Sequence, residues 1–168
     1  DFLSRDDGGV RRVLGETISH TGWVIMLLQV PVSFVFERFR PMPSILFGLF
    51  VMACGFGVIG LAAGSGSALV FPGIVLFAAG EMIASPRTQE YITWIAPKEK
   101  AGMYMGSNFL ATGVGAFSGV IYTSLYGRFA DAGQPGAIWW VMAVHLLVGV
   151  VALLLFQKLA GGFQQQER

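Results

Sequence analysis

Five long apolar runs, separated by charged or glycine- and proline-containing turns, limit what this chain can become. They cover residues 20–36 (HTGWVIMLLQVPVSFVF), 45–64, 68–95, 103–126 and 138–159. Hydrocarbon about 30 Å thick takes roughly 20 apolar residues of helix to cross, and each run is near or above that length. Helices and closed β-barrels are the two structures that satisfy their own backbone in lipid. Barrel strands alternate apolar and polar residues over about ten positions, whereas these runs are continuous. The pattern predicts an all-α membrane protein, a five-helix transmembrane bundle over residues 20–160. Residues 1–19 are too polar to span and read as a loop or surface helix, and 161–168 (GGFQQQER) as a cytoplasmic tail.

Composition agrees. Charged residues make up 12% of the chain, against about 25% in water-soluble domains. Basic residues near the start (Arg5, Arg11, Arg12) alternate with Asp6 and Asp7, so no patch for nucleic acid forms. The single cysteine, Cys54, excludes a disulfide within the chain and reads as a small apolar filler. The first residue is Asp, and no leader pattern opens the chain, so it reads as a piece of a longer protein.

Lys and Arg gather on the cytoplasmic side of membrane proteins. With five spans, Arg38, Arg40, Arg87, Lys98, Lys100, Lys158 and Arg168 fall on one side, and Arg5, Arg11, Arg12 and Arg128 on the other. The expectation is an inner (plasma) membrane protein with a cytoplasmic C-terminus. Trp23, Trp139 and Trp140 then lie at the outer interface and Trp94 near the inner one. Glycines four apart, Gly60 with Gly64 and Gly115 with Gly119, suggest close helix packing, with Gly55, Gly57 and Gly113 extending those faces.

The polar residues inside the runs are the candidate site. Glu81 lies about 20 Å into its helix at about 1.5 Å per residue, near the midplane. An acidic residue there costs about 2.5–3.5 kcal/mol and usually faces a cavity or a partner. Pro86 removes a backbone donor, freeing a carbonyl near residue 82, and is expected to kink or break the helix beside Glu81. Ser85 belongs to the same helix. Gln29, two residues before Pro31, is a second buried polar group beside a kink. Asn108 and Thr112 share a face of the fourth run, with Tyr122 further along. These either reach a cavity or bond a neighbouring helix. Arg87, Gln89 and Glu90 read as inner-end residues, with Arg87 and Glu90 spaced to pair. His145, surrounded by apolar neighbours, reads as a structural hydrogen-bonding group. No catalytic motif, cofactor motif or metal-ligand cluster is present in the sequence.

Five spans joined by alternating short turns resemble the C-terminal half of the major facilitator superfamily. QVPVSFVFERFRPMPSILFG resembles its span, basic turn and span between helices eight and nine, with Glu37-Arg38-Phe39-Arg40 in place of the usual Asp-Arg pair and glycines. GEMIASPRTQEYITWIAPKEKAGMYMGSNFLATGVG is similar to helix ten, inner loop and helix eleven of the proton-coupled oligopeptide transporter branch. The matching positions are Glu81, Ser85, Pro86, Ala96, Pro97, Lys98 to Lys100, Met105 and Gly106. The resemblance implies a partial major-facilitator fold (helices 8–12) and a missing N-terminal half. It also implies a small-molecule substrate moved by alternating access with protons, and Glu81 in the place that binds a peptide's amino terminus. Asn108 stands where that branch has tryptophan, and Arg87-Thr88-Gln89-Glu90-Tyr91 replaces its glycine-leucine stretch. Another small zwitterion therefore stays open beside a peptide.

Two rivals remain at this point. An intramembrane enzyme or electron carrier would want paired catalytic groups or histidines at ligand spacing, and neither is found. A structural or partner-binding subunit of a membrane complex would use Glu81 to pair a partner's cation.

Overall fold

The computed structural model describes residue 22 and residues 25–65 and 69–160. The polar segment 1–19, the start of the first run with Trp23, residues 66–68 and the tail 161–168 lie outside the described residues. Among the described residues six helices follow in order: α1 (Ile25–Phe36), α2 (Pro41–Ser65), α3 (Val70–Ile95), α4 (Ala101–Ala116), α5 (Ser118–Asp131) and α6 (Ala137–Ala160), with a 3₁₀ turn at Lys98–Lys100 before α4. No strand occurs among the described residues. The chain is an all-helical, multi-pass membrane protein. By length and composition, Pro41–Ala62, Lys98–Asp131 and Ala137–Leu159 can each cross a bilayer. The 26 residues of α3 reach about 39 Å. That is also long enough, although Glu81, Arg87 and Glu90 make it the most polar of the long helices.

The helix ends follow local chemistry. Pro41 opens α2 at the first helical position, where its missing N–H costs nothing. Ser44 donates from its hydroxyl to the Arg40 carbonyl at 3.0 Å. α3 ends where Pro97 forces the preceding residue out of the helical region, and Ala96 is extended (φ −77°, ψ 124°). α5 closes with Gln134 N bonded to Phe129 O at 2.8 Å and Gly133 N to Ala130 O at 3.0 Å. Gly133 sits there at φ 74°. Both bonds belong to the left-handed glycine cap that turns a chain sharply after a helix, and it reverses the chain into α6.

One expectation changes. The fourth run is two helices, divided at Phe117. Phe117 N bonds to Val114 O and Val120 N to Phe117 O, both at 3.1 Å, the tighter three-residue pattern. Gly113, Gly115 and Gly119 surround the division, and glycine weakens helix interiors. These three glycines approach nothing within 4 Å among the described residues, so they do not form the packing face their spacing suggested.

The tight packing lies elsewhere, between α2 and α3, where the backbones themselves touch. A Cβ on Gly80 would sit 2.5 Å from the Gly48 carbonyl oxygen, and one on Gly55 would sit 2.8 Å from the Gly73 carbonyl oxygen. The two glycines of each helix are seven residues apart (GLFVMACG and GIVLFAAG), so they pair in an antiparallel register. Lipid offers no hydrophobic drive for helix association, so close approach of small residues carries it. On the other side of α2, Trp140 of α6 lies against Gly60, whose Cβ would meet the indole Nε1 at 2.8 Å. Phe56, Ile59 and Ala143 form the core between α2 and α6, joined by Ile74, Phe77, Trp139, Met142 and Leu146. Phe56 and Phe77 rings are 4.7 Å apart. α4 and α5 touch only the edges of this unit, at α3 and α6.

Gly80→Ala should destabilise the bundle by about 1–3 kcal/mol through overpacking, read as a lowered unfolding midpoint in detergent. Gly113→Ala, which meets nothing, should leave that midpoint unchanged or raise it.

Candidate functional site

Glu81 stands at the middle of α3. Residues four apart share one helix face, and Glu81, Ser85 and Gln89 are all exposed along such a stripe. Gly73, Gly80, Ala84 and Arg87 mark the buried side of the same helix. Among the described residues, the Glu81 carboxylate has no ion pair or hydrogen bond. The stripe thus offers a charge, a hydroxyl and an amide over about 12 Å of helix, at about 1.5 Å per residue. That set can hold a cation or a hydrogen-bonding solute, and the carboxylate can exchange a proton.

Gln29 does not join that stripe. Its Nε2 donates to the Met82 carbonyl at 3.2 Å and to the Ser33 hydroxyl at 3.3 Å. Met82 is four residues before Pro86, so its carbonyl is the one that the proline leaves without a helix donor. The side chain of one helix therefore completes the ladder of another. α3 continues as a helix through Pro86, and α1 through Pro31, so neither proline breaks its helix. At Pro86 the interruption is a missing main-chain bond supplied from α1.

Arg87 departs further from its expected place. An inner-end residue would be open to its surroundings, whereas Arg87 is 3% exposed. Its guanidinium pairs with Glu90, as the three-residue spacing foretold. Nη2 also reaches the Ser33 carbonyl at 3.5 Å. Charge taken out of water persists only when paired and hydrogen-bonded, and here one partner is on the same helix and one on α1. Beside it, Thr88 donates to the Ala84 carbonyl at 2.9 Å.

The remaining polar residues are separate. Thr112 donates to the carbonyl of Asn108 at 3.0 Å, within α4. Asn108 is half-buried, and no hydrogen bond links it to Glu81, Ser85 or Gln29 among the described residues. Tyr122 of α5 and Nδ1 of His145 of α6 are hydrogen-bonded, with ring centroids 6.0 Å apart. His145 is thus a hydrogen-bonding link between helices. Its partner was missed because nothing in a sequence pairs residues 23 apart on different runs. The two glycine pairs were legible as seven-residue spacings, although spacing four had drawn attention first.

Comparison with known proteins adds an independent line. Over 155 residues the chain is 28% identical to Multidrug resistance protein MdtH of Aeromonas salmonicida (strain A449), covering 87% of this chain and 38% of the relative. The protein of the same name from Aeromonas hydrophila subsp. hydrophila matches at 28% over 155 residues, with the same shares. The chain thus spans about 38% of the length of the curated relatives it matches. No protein-family model matches the chain. No solved structure matches it either.

Arg87 is buried and Glu90 only partly so, and removing Glu90 leaves the buried charge without its acidic partner. Glu90→Ala should cost about 1.5–3 kcal/mol, seen as a lower unfolding midpoint in detergent. The apolar double replacement Arg87→Met with Glu90→Leu should recover most of that loss.

Proposed function

We propose that the chain is the C-terminal portion of a secondary active transporter of the major-facilitator type, moving small solutes by alternating access. The observation that carries this reading is the exposed stripe of Glu81, Ser85 and Gln89 at the middle of a membrane-length helix. A carboxylate facing acyl chains would cost about 2.5–3.5 kcal/mol, and such residues line water-filled paths or meet partners. Placing the stripe on the wall of a solute pathway removes that cost. Similarity to proteins named for multidrug resistance supports a carrier over a purely structural subunit.

On this reading the pathway lies near the bilayer midplane, closed on its other side by a second half-bundle outside this sequence. Glu81 attracts the cationic end of a solute or takes up the coupling proton, with Ser85 as an accessory contact and Asn108 on the adjoining helix. The turns at 37–40 and 96–100 lie on the cytoplasmic side with the C-terminus. The solute class suggested by the relatives is a set of drug-like compounds. The peptide-like, proton-coupled alternative rests on Glu81 and the Ser85-Pro86 pattern alone. A proteoliposome screen of both solute classes, with and without a pH gradient, separates the two.

In the full-length protein, Glu81→Gln should abolish concentrative transport, lowering accumulation against a gradient by about tenfold or more while membrane insertion stays intact. Losing one charged contact to a bound solute is of that order. Wild-type accumulation in this variant would remove Glu81 from the pathway.

A further inference from the structure

We infer that Gln29 is a positioning residue that supplies, from α1, the donor that Pro86 withholds from α3, and so fixes the course of the lower half of α3. The geometry is specific. Met82 is buried, its carbonyl is the one left unpaired by the proline, and the Gln29 amide reaches it at 3.2 Å. The second hydrogen of the same amide is taken by Ser33 at 3.3 Å, so Nε2 is fully used. Ser33 in turn presents its carbonyl to the buried Arg87 at 3.5 Å. One turn of α1 therefore holds α3 on both sides of Pro86, at residues 82 and 87.

A proline in a membrane helix is tolerated where a neighbouring helix satisfies the freed carbonyl. An apolar residue at 29 would leave that group unpaired in a water-poor setting, and α3 would move to find another donor. Residues beyond Pro86, Gln89 among them, would swing with it, while the glycine contacts above it hold. The inference bears on the proposed transport pathway, because the lower part of the stripe lies beyond Pro86. It does not require that pathway to be correct.

The test is a double replacement in the full-length protein, with every native cysteine, Cys54 included, changed to alanine and a reporter Gln89→Cys added. Gln29→Met keeps the volume and removes the donor. Pro86→Ala restores a main-chain N–H to the Met82 carbonyl. Maleimide labelling of the reporter in detergent should change by about threefold or more on Gln29→Met, the scale of an average interhelical hydrogen bond. In the Pro86→Ala background the same replacement should change labelling by less than about half that factor, because the carbonyl already has its donor. Equal effects in both backgrounds, or none in either, overturn the inference. If Gln29→Met fails to accumulate in the membrane, accumulation becomes the readout: rescue by Pro86→Ala supports the inference and absence of rescue overturns it. Solute uptake measured in parallel isolates the transport reading. Labelling that follows the expected pattern while Glu81→Gln transports normally supports the role of Gln29 and removes only the pathway.

Discussion

The contact of α2 with α3 at the Gly48–Gly80 and Gly55–Gly73 pairs is the constraint on which the rest of the bundle depends. In lipid the apolar side chains gain little by leaving one apolar medium for another, so association needs surfaces that fit closely. Four positions without a side chain bring main chain against main chain, with Ala84 continuing the same narrow line. This fixes which side of α3 is buried, and hence which side presents Glu81. The opposite flank of α2 repeats the device with a different partner, Trp140 resting on Gly60.

Polar groups placed inside such a bundle have to be answered one by one. The Met82 carbonyl, deprived of its donor by Pro86, takes one from Gln29. Buried Arg87 is answered by Glu90 and by a main-chain oxygen of α1. His145 is answered by Tyr122. Glu81 differs from all of them in having no such answer among the described residues, although it occupies the middle of its helix. This difference in treatment, more than its charge alone, separates it from the structural polar residues.

Much of the architecture was readable because bilayer thickness sets a length that a sequence displays directly. The spans 45–64, 68–95 and 138–159 correspond to α2, α3 and α6 within a few residues. The division at Phe117 escaped because hydropathy is blind to a change from four-residue to three-residue hydrogen bonding. The freed carbonyl near residue 82 was legible from Pro86, since the missing donor is a covalent fact. That Gln29 would fill it was not, since that depends on how α1 lies across α3. Likewise the pairing of Arg87 with Glu90 follows from spacing, whereas the burial of Arg87 follows from a neighbouring helix that no local pattern reveals.

The register of the glycine pairs also restricts motion. Displacing α2 along α3 by seven residues would retain a single pair, Gly55 against Gly80, and would set Arg87 opposite Gly48. Smaller displacements put side chains where only hydrogen atoms now fit. Packed helices usually accommodate rearrangement by small sliding movements, and this pair has no room to slide. The two helices can tilt together, as a hinged panel does, and α4 and α5, which meet this unit at α3 and α6, are not held by its register.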